Sequence, residues 1–283
     1  MKADELIAQV PSLPAPSPSV TRLLALQSQP EADIEEMVQV VERDGVLSAK
    51  LLGLCNSAHY GLAEQVGSVK QAVFYLGMGE VHRLVMSVCF GPTLTRSLVG
   101  FAIAEQELWT HSLLTALLTD SVLRHAVNVD ADPALAYTAG LVHDIGKIVL
   151  NHTLTEPVQA AIRKLVEQDG CSRIQAERHV LDTDHAELGA RLLARWNLPA
   201  RIVEAVAEHH APKPLPRASL SAVVHLANCL AHGLGSAPGW DGCAVPVNGE
   251  AVATLGFDDA KLQMLVTSGF DKLCQVKEYA SLK

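Results

Sequence analysis

The stretch GLVHDIGKIVLNH, residues 140–152, decides how this chain is to be folded. Leu141, Val142, Ile145, Ile148, Val149 and Leu150 have the spacing of a helix buried among other helices. Set among them are a histidine, an aspartate and a lysine: His143, Asp144 and Lys147. Burying such groups costs free energy unless each finds a partner. The segment therefore predicts a buried polar site as well as a helix.

The composition outside it agrees with helices. Hydrophobic residues make up 49% of the 283-residue chain and aromatics only 4%. A mixture dominated by Leu, Ala and Val favours helices packed on helices over a sandwich or barrel. The length suits one large domain or two modest ones. Net charge is −9 and the isoelectric point about 5.7, which argues against a nucleic-acid partner, since that would want a basic face. Six cysteines (Cys55, Cys89, Cys171, Cys229, Cys243 and Cys274) form no C-x-x-C pair, and the start MKADELIAQVPSLP carries no apolar leader. No apolar run reaches membrane-spanning length. The expectation is a soluble, cytoplasmic protein with reduced thiols and no membrane partner.

Helical periodicity runs along most of the chain. VPSLPAPSPSV (10–20) reads as an extended lead-in. DIEEMVQVVERD (33–44) places Ile34, Met37, Val38 and Val41 on one face behind an Asp33 cap. Further helices are expected at GVLSAKLLGLCNSAHYG up to Gly61, at 68–77 and at 79–91, with Gly91-Pro92 as a breaker and a boundary near residues 92–100. Residues 104–126 read as one long helix, and Asp132-Pro133 opens the next, with His143-Asp144 near its middle. Pro157 begins another; Ser172 with Gln175, and Asp184 with Glu187, have capping-box spacing. PARIVEAVAEHH, SLSAVVHLANCLAHG and the tail 258–282 complete the helices, with a loop at 236–249.

Twelve histidines are many for this length, and most follow residue 100. A metal site needs neutral imidazoles and carboxylates converging from several segments. His111, His143-Asp144, His185, His209-His210 and Asn228 lie on or at the ends of five successive expected helices. Asp144 has two oxygens and could bridge two ions. A lone histidine on an apolar helix is more often a hydrogen-bonded core residue; five helices each carrying one favour a shared cation. His225 and His232 share a face with Asn228 and could replace a ligand, although core-edge or solvated histidines have the same spacing. Cys229, Trp109 and Trp196 read as packing. His59, His82, His125, His152 and His179 read as surface or helix-end residues.

The pattern H…HD…H…HH resembles the HD superfamily of metal-dependent phosphohydrolases, and GLVHDIGK is similar to its H-D-x-G-K block. VVERDGVLSAKLLGLCNSAHYG, SVKQAVFYLG and HAELGARLLARWNLPARIVEAVAEHH narrow the resemblance to the HDOD (HD-related output domain) family over about residues 8 to 235. The C-terminal 50 or so residues resemble nothing nameable. The resemblance implies an all-α multi-helix bundle, with an N-terminal helical subdomain (1–95) packed on an HD-like helical subdomain (96–283) that ends in a helical extension. It implies that His111, His143, Asp144, His185, His209, His210 and, in the place of the final acidic ligand, Asn228 surround one or two divalent ions. Fe or Mn is favoured, with Zn or Ni compatible. It also implies that Lys147 faces a substrate phosphate; a solvated lysine assisting the helix C-terminal dipole is the plain alternative.

Two departures bear on function. An amide at Asn228 binds a divalent ion more weakly than a carboxylate, and HHAPKPLPRASL lacks the G-Y-P loop of cyclic-di-nucleotide phosphodiesterases. The expectation is a signal-transduction output protein with a metal or ligand site, little or no turnover, and a signalling protein as partner. The competing expectation is a metal-dependent phosphohydrolase in which Asp144 and Lys147 act on a phosphate-containing small ligand through a metal-activated hydroxide.

Overall fold

A computed structural model describes residues 3–10, 13–29, 31, 33–127, 129–213, 217–239 and 245–281, the last segment with side chains to 277. The fold is all-α. The N-terminal part comprises α1 (Ala3–Ala8), α2 (Pro18–Gln27), α3 (Ile34–Glu42), α4 (Gly45–Cys55), α5 (Val69–Leu76) and α6 (Met78–Leu94). A single 3-10 turn at Val99–Phe101 leads to α7 (Glu107–His125), α8 (Pro133–Val142), α9 (Gly146–Thr153), α10 (Glu156–Asp169) and α11 (Arg173–Leu181). Next come α12 (His185–Arg195), α13 (Ala200–Glu208), α14 (Leu220–Gly233), α15 (Gly249–Thr254) and α16 (Asp259–Ser281). Two isolated bridges, Leu98 with Ile103 and Val129 with Ala218, are the only β pairing among the described residues.

Most helix starts are set by local chemistry that the sequence displays. Asp33 caps α3 by accepting from the Glu35 N–H, and Asp132 caps α8 by accepting from Ala134 and Leu135. Ser172 and Gln175 form a complete capping box on α11. Asp184 caps α12 through the Glu187 N–H, but the Glu187 side chain turns away to accept from the Thr183 hydroxyl.

Four expectations about the helices need correction. Gly91-Pro92 does not break α6, which runs to Leu94. Pro92 sits in the last turn; its missing N–H forfeits one bond, to the Val88 carbonyl, and only two helical residues follow it. The α4 helix stops at Cys55, and the chain reaches Gly61 through turns. The loop after α14 gives way to α15 at Gly249, capped by the Asn248 side chain. Finally, the segment opened by Asp132-Pro133 is two helices, with His143 and Asp144 at the join. The expected lead-in at 10–20 has no regular structure from residue 13 until Pro18, its residues 11 and 12 lying outside those described; so do residues 240–244 of the expected loop and Cys243. The five described cysteines are free.

One apolar core runs through both halves, and α7, α8 and α14 form its centre. Glycines set two close approaches there. A Cβ at Gly140 would stand 2.9 Å from Ala116 Cα on α7, and one at Gly146 would stand 1.9 Å from the His185 carbonyl and 2.7 Å from the Gly189 nitrogen on α12. The bare backbone at these points lets α8 and α9 lie against α7 and α12, drawing their polar residues into one space. His82 belongs to this core too. It is 1% exposed, with Nε2 3.0 Å from the Thr138 hydroxyl and 3.1 Å from the Ala134 carbonyl, where α6 meets α8; it is not the surface residue the sequence suggested.

Candidate metal centre

Between Val142 and Gly146 the backbone winds more tightly than an α-helix. Ile145 N–H donates to Val142 O, Lys147 N–H to Asp144 O and Ile148 N–H to Ile145 O, all i→i−3 bonds at 3.0–3.1 Å. Such a 3-10 step inside a helical run is common at functional sites. It lets His143 and Asp144, adjacent in sequence, reach the same cavity: His143 Nε2 is 3.4 Å from Asp144 Oδ2. The doublet thus stands at a helix junction and not in mid-helix. His209 and His210 use another helix end, just after α13, with ring centroids 4.1 Å apart.

Asp144 is the hub. Its Oδ2 lies 3.4 Å from His143 Nε2, 3.7 Å from His111 Nε2 and 2.6 Å from Lys147 Nζ. Its Oδ1 lies 3.4 Å from His185 Nε2 and 3.8 Å from His209 Nε2. Two sets of possible ligand atoms result, Asp144–His185–His209–His210 and His111–His143–Asp144, each mutually within 4.8 Å. Five imidazoles from four segments of the chain therefore converge on Asp144, and His111, His143, Asp144, His185 and His209 are all at most 1% exposed.

The orientation of the rings suits a cation. His111 Nδ1 is 2.6 Å from the Ser236 carbonyl, His143 Nδ1 2.7 Å from Gly140 O and His209 Nδ1 2.7 Å from Val206 O. A carbonyl only accepts, so each Nδ1 carries the hydrogen and each neutral ring turns an Nε2 lone pair inward. The lone pairs of His111 and His143 then face each other at 3.2 Å, which is repulsive unless something positive lies between them. His209 Nε2 and Asn228 Oδ1 are buried without a hydrogen-bond partner. Orphaned acceptors of this kind need an explanation, and a cation supplies one. The buried His/Asp cluster can hold a metal ion.

Electrostatics point the same way. Burial, then the neighbouring His232 and His143, holds His111 well below the usual imidazole range; burial and His143 do so for His209, and burial and His209 for His210. Burial pushes the Asp144 carboxyl up, but Lys147, His143 and His185 more than offset it and hold it well below its ordinary value. Neutral His111, His209 and His210 beside an ionised carboxylate are in the protonation states a divalent ion requires. Lys147 is 2% exposed and lies in the first turn of α9, so the reading as a solvated lysine at a helix C-terminus is wrong.

Asn228 and His232, both on α14, line a cavity of about 40 Å³ with Asp144, His185, Val245 and Pro246. His225 is buried elsewhere: its Nδ1 is 2.7 Å from the His209 carbonyl, and its Nε2 accepts from the Asn248 N–H at 2.9 Å. Both of its ring nitrogens are thus engaged, and it supports the His209 backbone. Both histidines are buried, so the solvated alternative falls for each.

Sequence reasoning missed Glu177 and Arg173. The Glu177 carboxylate is fully buried and accepts from His185 Nδ1–H at 2.6 Å, from the His185 backbone N–H at 2.8 Å and from Arg173 Nε–H at 2.8 Å. Burial raises its pKa, but His185 and Arg173 outweigh burial and bring it to about 2. Glu177 in turn overcomes the effect of burial on His185, whose pKa is raised. The available signal was an i,i+4 Arg–Glu pair in a polar helix, which ordinarily marks a solvated face.

The HDOD domain family matches residues 13–212. The chain belongs to the HDOD family. An uncharacterized protein of Treponema pallidum is 30% identical over 213 residues, which is 72% of this chain and 38% of that protein. Ribonuclease Y of Latilactobacillus sakei is 26% identical over 62% of this chain and 26% of its own length. The HDOD chain thus spans well under half of these relatives. A provisionally named signal transduction protein from Marinobacter aquaeolei shares the fold at a TM-score of 0.77 and 22% identity, over 95% of this chain and 59% of that one. Among the described residues, no helix is long and apolar enough to cross a membrane.

Proposed function

We propose that this HDOD chain is a signal-output module whose buried centre binds divalent cations without turning over a large substrate. Asp144, His111, His143, His185, His209 and His210 would hold one or two ions, with Asn228 as a weak neutral donor; Mn or Fe is favoured and Zn or Ni compatible. Asp144 is suited to bridging, since its two oxygens face the two histidine sets. A bound divalent ion there would lower the pKa of a coordinated water towards neutrality. The observation that carries the reading is the convergence of imidazoles on Asp144, with a space of only about 40 Å³ beside it, lined in part by Val245 and Pro246. The Marinobacter fold relative bears a signal-transduction name, which is in keeping with signalling, and a partner protein would receive the output.

Metal-dependent phosphohydrolysis is the second reading. Lys147, buried 2.6 Å from Asp144, is placed to neutralise a phosphate, and similarity to ribonuclease Y gives it a precedent. A net charge of −9 speaks against RNA as the ligand here. Elemental analysis of protein purified without a histidine tag, with an aryl phosphate assay in added Mn²⁺, separates the readings. Bound metal without hydrolysis supports the signalling module. Hydrolysis that disappears in Asp144→Ala supports the enzyme. Failure to take up metal under any loading sinks both.

A further inference from the structure

The imidazoles around Asp144 are not equivalent. His111, His143 and His209 each lean on a neutral backbone carbonyl through Nδ1. His185 leans on a carboxylate, Glu177, at 2.6 Å. Glu177 is itself fixed by Arg173, whose guanidinium carbon sits 4.0 Å from the centroid of the Phe101 ring. An ionised partner on Nδ1 fixes the ring and makes Nε2 a stronger donor than a carbonyl partner does. His185 belongs to the set that already has three imidazoles, while the other set has two.

We propose that Glu177, held by Arg173, makes the two cation positions unequal. The position formed by Asp144, His185, His209 and His210 fills first and tightly; that of His111, His143 and Asp144 fills second and weakly. This rests on the metal-centre reading above. Glu177 touches no ion; it is a positioning residue that acts through His185. The second position has one imidazole fewer and none of them is backed by a carboxylate.

The test is titration of the EDTA-stripped full chain with Mn²⁺ at pH 8, counting free Mn²⁺ by electron paramagnetic resonance. The wild type is expected to bind in two resolved steps. Glu177→Gln leaves an acceptor for the His185 N–H but removes the charge. It should weaken the first step about 10- to 100-fold and leave the second within about twofold. His111→Ala should abolish the second step and keep the first. Two equal steps in the wild type, or a first step that Glu177→Gln leaves unchanged, would overturn the proposal while the metal centre stood. No Mn²⁺ binding by the wild type would instead remove the metal-centre reading itself.

Circular dichroism melting shows whether Glu177→Gln folds. If it does not, the wild type still decides the matter by nitrogen-15 histidine spectra of the metal-free chain. One imidazole N–H, lost in His185→Gln, should lie well downfield of those bonded to carbonyls. Its absence would overturn the proposal.

Discussion

At the scale of single residues, Asn228 and His82 make the sharpest predictions. Asn228 Oδ1 is buried and unpartnered beside the cation cavity. Asn228→Asp supplies a charged donor there, so Mn²⁺ affinity should rise on the order of tenfold. In EDTA the same variant should melt below wild type, because an added buried charge lacks a cation. Binding that is unchanged or weaker would show that Asn228 does not face the ion. Burial, partly offset by the Ala134 carbonyl, lowers the pKa of His82 from 6.5 to about 4. Between those pH values the unfolded chain takes up a proton that the folded chain refuses. Stability is therefore lost as pH falls from about 6.5 to 4, by about 3 kcal/mol from this residue. His82→Gln should flatten that part of the pH–stability curve, measured by urea unfolding. His143 and Asp144 were legible in the sequence because charge inside an apolar run demands a reason. Glu177 was not, because an Arg–Glu pair four residues apart looks the same on a solvated helix as on a buried one.

At the scale of helices, the α8–α9 junction is where sequence reading stopped short. The caps at Asp132, Ser172 and Asp184 are local hydrogen-bond devices and could be read directly. The break at 142–146 has no proline to announce it; it is imposed by packing against α7 and α12. Pro92 shows the converse, a strong breaker that the helix nonetheless outlasts by two residues. The glycine of the H-D-x-G-K block now has a physical reason. Gly146→Ala would drive a methyl into the His185 and Gly189 backbone, which cannot rotate aside. It should destabilise the fold by about 3 kcal/mol or more and displace His185. Thermal unfolding, together with Mn²⁺ titration, checks this; a variant as stable as wild type would mean that α9 and α12 are not in contact there.

For the whole molecule, the prediction is linkage. An ion that binds the folded chain alone, at a hundredfold excess over its Kd, adds about 2.7 kcal/mol. For a chain of this length that is a rise in Tm of about 5 °C, and Asp144→Ala should show none. An equal shift in both would place the cation on the surface. The all-α class and the convergence of the histidines were readable because periodicity and residue type survive in a linear string. That Val245 and Pro246 line the cavity was not, because it depends on distant segments meeting in the fold.

The possible ligands lie on α7, at the α8–α9 junction, on α12, after α13 and on α14, so no single stretch of chain carries a complete set. A metal ion there would work as a latch that only the finished fold can close. Opening it would require several helices to part together, so loading should slow unfolding and protect the loops between α9 and α12 from proteases. Peptides cut from this region should show no comparable hold on the ion.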